Sequence, residues 1–434
     1  MSKQGVPLKS LLILGYYFPP VHVVGAIRLF HFHQEAKNYF NETHILASSN
    51  TQLMRQDASL ETHSPNIQYV PTLDLRRLSL HRKKRQSPHV STAIKQKSIF
   101  RWFQKAMDSF PFSLLLADGG PVYIYLSYQK GKKLVREGKI SHLFSSFRPQ
   151  ADHIVAHLLK RKFPQLYWIA DFRDLPIDPI RENVFWPKWQ ARWQRFLLKK
   201  ADLVTTVSKG LLTHMQGLHH HTYLLPNGIA SAPISLQAPP LPTKFTISYT
   251  GSLYPELQSP APLFTAIRQL FDDQLISPND IQLIYAGKDG TYWDQLIQAH
   301  QLKSISLNKG FVSYAEAQQL QQQTHLNLLL SWSFPNAKGI LTAKLYDYLA
   351  AGQPIIALVN GERDLEFEDL TDKLQTGRVF YNEDNRESAP IRKYLEKEIG
   401  KWQEKKDYLY TISAADFEPF KWQYLFKAMI RHLK

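Results

Sequence analysis

TAKLYDYLAAGQPIIAL, from Thr342 to Leu358, is the stretch on which the reading of the fold turns. Thr342 reads as an N-cap, Ala343 to Ala351 are good helix formers with leucine and tyrosine at helical spacing, and Gly352 followed by Pro354 supplies a stop. Ile355 to Leu358 then reads as a buried strand. Such a helix points the free N–H groups of its first turn, Lys344 and, one turn on, Asp347 at whatever lies at its N-terminus. Helix N-termini attract anions and a lysine strengthens the attraction, so a pyrophosphate is the natural guest. An ordinary helix–turn–strand unit of an α/β domain is the alternative reading.

The chain around this unit has 434 residues, too many for one typical core and enough for two large α/β domains. With 44% apolar residues and 12% aromatics it can bury a proper core. It has no cysteine, which removes disulfides, thiolate zinc sites and cysteine nucleophiles together. A net charge of +16, from 53 basic against 37 acidic side chains, predicts attraction to nucleic acid, anionic lipid or nucleotide substrates. Lys3 and Lys9 precede the apolar run Leu11 to Phe18, but no small-residue cleavage site follows and the run is too short to span a bilayer, so it reads as a first strand. No other apolar run approaches about 18 residues, and any membrane contact is expected to be peripheral, on a chain expected in the cytoplasm.

Upstream of the deciding stretch, strands and helices alternate. Leu11 to Leu14 is a strand, Pro19, Pro20 and Gly25 make a loop, and Ala26 begins a helix. His44 to Ala47 and Ile67 to Val70 read as strands, followed later by helix Ile124 to Glu137 and strand His142 to Ser145. Trp168 to Ala170 is a strand ending in Asp171, Phe172, Arg173 and Asp174, and Trp186 to Lys200 is an aromatic and basic helix. The proline-rich stretch Ser231 to Lys244 reads as a linker. After it come strand Phe245 to Tyr249, helix Leu263 to Asp272, strand Ile281 to Ala286, helix Tyr314 to Gln323 and strand Leu326 to Leu330, with the opening unit closing the series. The expectation is two doubly wound parallel-sheet domains, 1–235 and 236–414, facing a cleft, with a final helix in 415–434 packing back on the first.

From Leu73 to Phe112 basic residues dominate, and Ile94, Phe100, Trp102, Phe103 and Met107 alternate with Lys95, Lys97, Arg101 and Lys105. The mixture suits an amphipathic helix on an anionic membrane surface, with a solvated insertion as the alternative. Nucleic acid is not expected, because no zinc-finger, RRM or helix-turn-helix signature accompanies it.

Residues at the ligand edges of the two sheets are the site candidates. In the second domain they are Gly251 and Ser252, Gly287 and Lys288, and Lys344 with Asp347, the glycines letting backbone N–H groups approach a phosphate. Tight β–α turns are the alternative for each glycine. In the first domain they are His153, able to bond a sugar hydroxyl, and the Asp171–Asp174 strand end, which reads equally as an ion-pair network. No Asp-x-Asp, P-loop, G-x-S-x-G or H-E-x-x-H pattern occurs, and the histidines at 31, 33 and 219–221 match no closed zinc site.

Assembled, the chain resembles the GT-B glycosyltransferases of family 4, retaining sugar transferases, over nearly its full length. YYFPPVHVVGAIRL looks like their opening strand–loop–helix, FSSFRPQADHIVAHLLKRKFPQLYWIADFRD like their SSPPPxxH…DFRD region, and ADLVTTVSKGL…LLPNGI like their domain-closing segment. YTGSLY, IQLIYAGK, KGFVSYAEAQQL and TAKLYDYLAAGQPIIAL follow in the family's order. The resemblance implies an NDP-sugar donor on the second domain, a glycan or lipid-linked acceptor on the first, and no metal or other cofactor. It implies catalytic roles for His153, Lys344, Asp347 and Asp171, with Lys344 on the pyrophosphate and Asp347 on the nucleotide ribose. Donor contacts are implied for Gly25, Gly251, Ser252, Gly287, Lys288, Phe311, Val312, Gly339, Ile340, Leu341, Thr342 and Leu345, and an acceptor side for Arg28, Arg173 and Asp174. Gly339 stands where the family's E-x7-E pattern has its first glutamate, Ser252 and Gln258 stand near a missing basic pair, and Val23 and Val24 replace glycines before Gly25. The implied function is sugar transfer in bacterial cell-surface polysaccharide synthesis at the inner membrane face. A catalytically silent GT-B protein that binds nucleotide or glycan and scaffolds an assembly is the alternative.

Overall fold

Short apolar runs flanked by helices dictate parallel strands, because a strand covered on both faces must be apolar throughout. The computed structural model describes residues 8–49, 54–62, 64–72, 102–116, 119–178, 182–229, 241–255, 257–335, 341–382, 388–405 and 417–433. The chain divides into unit 1, Met1–Pro226 with Leu425–Lys434, and unit 2, Asn227–Tyr424.

In unit 1 the strands are β1 (Leu8–Leu14), β2 (Phe40–Ser48), β3 (Ile67–Val70), β4 (His142–Phe147), β5 (Tyr167–Phe172), β6 (Leu203–Thr206) and β7 (Thr222–Leu224). All pair in parallel in the order β3-β2-β1-β4-β5-β6-β7, with Leu14 opposite Ser145 and Ser145 opposite Ala170. Helices α1 (Val24–Ala36), α2 (102–108), α3 (Phe112–Leu116), α4 (Pro121–Arg136), α5 (Gln150–Lys162), α6 (Pro187–Leu198) and α7 (Lys209–Gln216) lie between them. One core cluster runs from Leu12 and Leu14 through Val155 and Leu159 of α5 to Trp168 and Leu198.

Unit 2 repeats the plan. Its strands β8 (Phe245–Thr250), β9 (Ile281–Ala286), β10 (Ser306–Asn308), β11 (Leu326–Ser333), β12 (Ile355–Gly361) and β13 (Gly377–Asn382) pair in the order β10-β9-β8-β11-β12-β13. Helices α8 (Ala261–Asp272), α9 (Gly290–Ala299), α10 (Tyr314–Gln322), α11 (Ala343–Ala351), α12 (Leu365–Leu374) and α13 (Ala389–Lys405) cover it, and α14 (Trp422–Ile430) ends the chain. Clusters built on Phe264, Trp293 and Leu330 and on Leu345, Leu349 and Ile355 fill its two faces. Both sheets reverse strand direction of travel beside their first strand, at β1/β4 and at β8/β11, and ligands of such sheets bind outside the carboxyl ends of the strands at that point.

The deciding stretch folds as read, with α11 over Ala343–Ala351, Gly352 in the left-handed region at φ 74° and β12 from Ile355. It does not close the series: α12, β13 and α13 follow. GRVFYN of β13 lies at the sheet edge, where burial imposes little apolar pattern. Residues 73–101 and 230–240, which hold most of the basic segment and of the linker, lie outside the described residues. The end of the final helix belongs to unit 1, where Phe426 packs 4.9 Å from Phe32 and the Tyr167 hydroxyl donates to the His432 carbonyl at 3.1 Å. Among the described residues no helix is long and apolar enough to cross a membrane.

Candidate functional site

In unit 2 the carboxyl edge of the sheet gathers Gly251, Ser252, Gly287 and Lys344. The side chain of Lys344 reaches from the first turn of α11 across the end of β8. Its Nζ lies 4.4 Å from the ring centroid of Tyr249, donates to the Tyr249 hydroxyl and donates to the Ser252 carbonyl at 3.1 Å. Gly251 makes room for it: φ is +123°, and a Cβ there would come within 2.5 Å of Lys344 Cε. Burial lowers the ammonium's pKa to about 7, with Asp289 and Asp347 pulling it back up. Asp289 is itself held by accepting from the Leu253 N–H at 2.9 Å.

Asp347 stands one turn after Lys344 and is half-buried. Its Oδ1 accepts from the Tyr314 hydroxyl at 3.2 Å, and burial raises its pKa to about 6 against the lowering effect of that bond and of Lys344. Thr342 occupies the N-cap position of α11 but does not cap: its Oγ1 is buried and has no hydrogen-bond partner among the described residues. Among the described residues the helix therefore starts with no side-chain cap on its first-turn N–H groups, and these leave the macrodipole unanswered beside an ammonium.

The structure corrects several expectations about the phosphate edge. The amides of Gly251 and Gly287 are not free for a phosphate, because they donate to the carbonyls of Ala286 and Gly310, each at 2.8 Å. Leu341 and Leu345 bury their side chains in the apolar cluster under α11 and contribute only main chain. Lys288 is exposed, Phe311 is 40% exposed and Val312 is half-buried, and no described contact joins them to Lys344. Gly339 and Ile340 lie outside the described residues. Tyr249, Asp289 and Tyr314 escaped the sequence reading. A tyrosine closing an apolar strand carries no signal that separates it from core.

In unit 1 the candidates at the strand ends form a closed network. Arg28 on α1 donates from Nε and Nη2 to the two oxygens of Asp171, at 3.2 and 2.8 Å, and to the carbonyls of Pro226 and Leu225 at 3.0 and 2.9 Å. Asp171 also accepts from Ser146 and Thr205 at 3.1 and 2.9 Å, and these partners hold its pKa below the usual carboxylate value despite complete burial. Asp171 and Arg28 are thus occupied in joining α1, β4, β5 and β6, the ion-pair reading of this strand end. Arg173 donates to Ser146 Oγ and to the carbonyls of Phe147 and Arg148 at 3.2, 3.0 and 2.8 Å. Its Nη1 lies against the first turn of α1, where a Cβ on Gly25 would approach to 1.5 Å, and makes no hydrogen bond to a described residue. Asp174 beside it is exposed.

His153 does not present itself to a ligand. The ring has no exposed surface, lies between Phe172 at 4.6 Å and Phe147 at 6.3 Å, and shares a 2.7 Å hydrogen bond between Nδ1 and Ser145 Oγ, which also accepts from the Trp168 indole N–H. Burial drives its pKa down to about 3, so it is neutral, and Nε2 has no partner among the described residues. Its neighbour Asp152 was missed. That carboxyl accepts from the Tyr16 N–H and the Tyr123 hydroxyl, both at 2.8 Å, and burial raises its pKa to about 7. The only sequence cue was an acid in the first turn of a helix.

Unit 1 also holds a cavity of about 240 Å³ lined by polar and apolar side chains, Met107, Asp108, Leu114, Arg148, Asn183 and Gln194 among them. Arg148 pairs with Asp108 at 2.9 Å, Asn183 donates to the same carboxylate at 3.1 Å, and Gln194 Oε1 is buried without a partner.

No family model matches the chain, and no curated protein sequence matches it. Solved structures do match. Sucrose-phosphate synthase from Thermosynechococcus elongatus superposes with a TM-score of 0.60 at 13% identity, covering 98% of this chain and 99% of that one. The apo lipopolysaccharide outer core galactosyltransferase gives 0.55 at 12%, covering 98% and 99%. The E. coli trehalose-6-phosphate structure bound with UDP-2-fluoro glucose gives 0.56 at 12%, covering 98% of each. At these identities the likeness is one of fold: the chain has the two Rossmann-like, parallel-sheet domains of the GT-B class.

Proposed function

We propose that the protein is a glycosyltransferase of the retaining family 4 type, taking a sugar from an NDP-sugar and passing it to a glycan or lipid-linked acceptor in bacterial cell-surface polysaccharide synthesis. The observation that carries the reading is the Lys344 ammonium at the uncapped N-terminus of α11, fixed at the carboxyl edge of the unit 2 sheet by Tyr249 and Ser252. When the bond from the anomeric carbon to the diphosphate oxygen breaks, negative charge grows on that oxygen. A fixed ammonium and a helix N-terminus stabilise the growing charge without reorganising. They also supply the positive charge that a metal would otherwise bring, and we assign no metal to the reaction. To the Asp347 oxygen that does not bond Tyr314 we assign a ribose hydroxyl.

In unit 1 the Nη1 of Arg173 beside Gly25, which bonds no described residue, is the cationic group we assign to substrate, and the cavity with Gln194 Oε1, unpartnered among the described residues, offers hydroxyl-binding groups to an acceptor. His153 and Asp171 act as positioning residues, one under Phe147 and Phe172 and the other behind Arg28. The test is a panel of UDP-, GDP- and ADP-sugars assayed for donor turnover, with the anomeric configuration of the product determined. Turnover of one donor with retention supports the proposal, and its absence from a variant Lys344→Ala that stays folded places the lysine in it. Tight nucleotide binding with no turnover of any donor means a silent scaffold instead.

A further inference from the structure

Helix α6 buries polar side chains and shows its aromatics to solvent. Gln190, Gln194, Leu197 and Leu198 face inward. Gln190 clamps the chain at Phe110, accepting from its N–H at 3.1 Å and donating to its carbonyl at 2.9 Å. Outward, at three- and four-residue spacing, stand Trp189, Arg192, Phe196 and the pair Lys199 and Lys200. Trp189 is 42% exposed, Phe196 56%, and Trp186, just before the helix, 60%.

The surface continues beyond the helix. Trp102 and Phe103 of α2 are 61% and 40% exposed, and Phe112 at the start of α3 is 39% exposed. Ring contacts join them into two groups: Phe110 stacks on Trp193 at 3.7 Å and lies 5.3 Å from Trp189, while Trp186 lies 6.4 Å from Phe112 and is linked through Phe185 to Trp102. Trp186 and Trp189, three residues apart at the start of α6, set the two groups side by side. A contiguous exposed apolar surface of this kind marks an interaction site.

Charge selects the occupant. Lys188, Arg192, Arg195, Lys199 and Lys200 are exposed on and just after α6, and none has an acidic partner among the described residues. The nearby acids Asp108 and Glu182 already hold Arg148 at 2.9 Å and Lys105 at 3.6 Å. Indole and phenyl rings enter the headgroup region while lysine and arginine reach lipid phosphates, so aromatics ringed by unpaired cations match an anionic bilayer. We propose that α6, with Trp102, Phe103 and Phe112 beside it, is the face on which the protein lies against an anionic lipid surface. The net charge of +16 draws it there from a distance. The proposal keeps the end of the 73–112 segment in the contact, through Trp102, Phe103 and Phe112, and centres it on a helix that starts 75 residues after that segment ends, and it stands whether or not the protein transfers a sugar.

Flotation of the full chain with vesicles of phosphatidylcholine alone, and with about a quarter phosphatidylglycerol, tests it. The protein is expected to float with the anionic vesicles only and to be released as salt rises. Trp189→Ser with Phe196→Ser, and separately Arg192→Gln with Arg195→Gln, are each expected to cut the bound fraction about tenfold or more at an unchanged melting temperature. Lys303→Gln with Lys373→Gln removes the same charge from exposed sites of unit 2 and is expected to leave flotation intact. Should the aromatic pair fail to fold, the charge pair on the same helix still decides. The proposal is overturned if the wild type stays with the soluble fraction, if the α6 variants float like it, or if the control pair loses binding equally. It is also overturned if light scattering shows the wild type dimeric without lipid and the aromatic variant monomeric, which would make this a face between two copies.

Discussion

Lys344 holds its ammonium 4.4 Å from the ring centroid of Tyr249 and hydrogen-bonds the Ser252 carbonyl at 3.1 Å, while Gly251 leaves the space through which its side chain passes. The position of this one charge is set by a strand end and a loop almost a hundred residues earlier in the chain. Gly251→Ala tests that dependence. The residue sits at φ +123° and the new methyl would meet Lys344 Cε at 2.5 Å, so the variant is expected to lose about 1–3 kcal/mol of stability and to bind nucleoside diphosphate more weakly. Denaturant unfolding and calorimetric titration measure the two effects. An alanine variant with wild-type stability and affinity would show that the glycine is incidental.

The lowered pKa of Lys344 sets a pH dependence. Free, the ammonium loses its proton around a pKa of about 7. A bound diphosphate favours the charged form and raises that pKa, so protons are taken up on binding above neutrality and affinity falls as pH rises from about 7 towards 9. Lys344→Arg, charged throughout, is expected to flatten the profile. Titrations in buffers of different ionisation enthalpy report the proton uptake directly, and a wild-type profile flat above neutrality would contradict the assignment.

Arg28 and Asp171 are buried to 3% and 0% exposure and satisfy each other. Removing one partner of a buried pair leaves an uncompensated charge, at a cost of about 3–5 kcal/mol. Arg28→Met is expected to destabilise unit 1 by that order in urea unfolding, and adding Asp171→Asn to recover part of the loss. A double variant no more stable than Arg28→Met would mean that Ser146 and Thr205 alone satisfy the carboxylate.

Asp152 supplies a second pH signature with the opposite bearing. Its folded pKa, about 7, lies above the ordinary aspartate value of 3.8, so between those limits the native state holds a proton that the unfolded chain has released. Stability therefore falls as pH rises from about 4 to 7 and then levels. Asp152→Asn lacks this cost, and its melting temperature relative to wild type is expected to climb across the same window. A difference independent of pH would show that the carboxylate is already ionised in the folded protein.

The alternation of strands and helices was legible because parallel strands covered on both faces are mainly apolar, as LLIL, WIADF and IQLIYA are. Where that pressure relaxes at the sheet edges, SLN of β10 and GRVFYN of β13 carried no strand signal. Lys344 was legible because its position at the start of a capped-looking helix fixes its direction. His153 and Asp171 were legible as positions but not as environments. Whether a strand-end aspartate meets substrate or a buried cation depends on Arg28, 143 residues away, and sequence periodicity holds no information on that pairing. The same limit hid Tyr249 and Asp152, whose partners come from other elements. It hid the outward aromatics of α6 as well, since helical spacing alone does not say which side faces the core.

Calorimetric titration of UDP, GDP and ADP into the wild type and into Lys344→Ala tests the central claim most directly. The account predicts that at least one of these diphosphates binds the wild type, and that the variant binds it about tenfold or more weakly at an unchanged melting temperature, a loss of about 1.4 kcal/mol or greater. Equal affinity in the two proteins, or no binding of any of the three to the wild type, would contradict it.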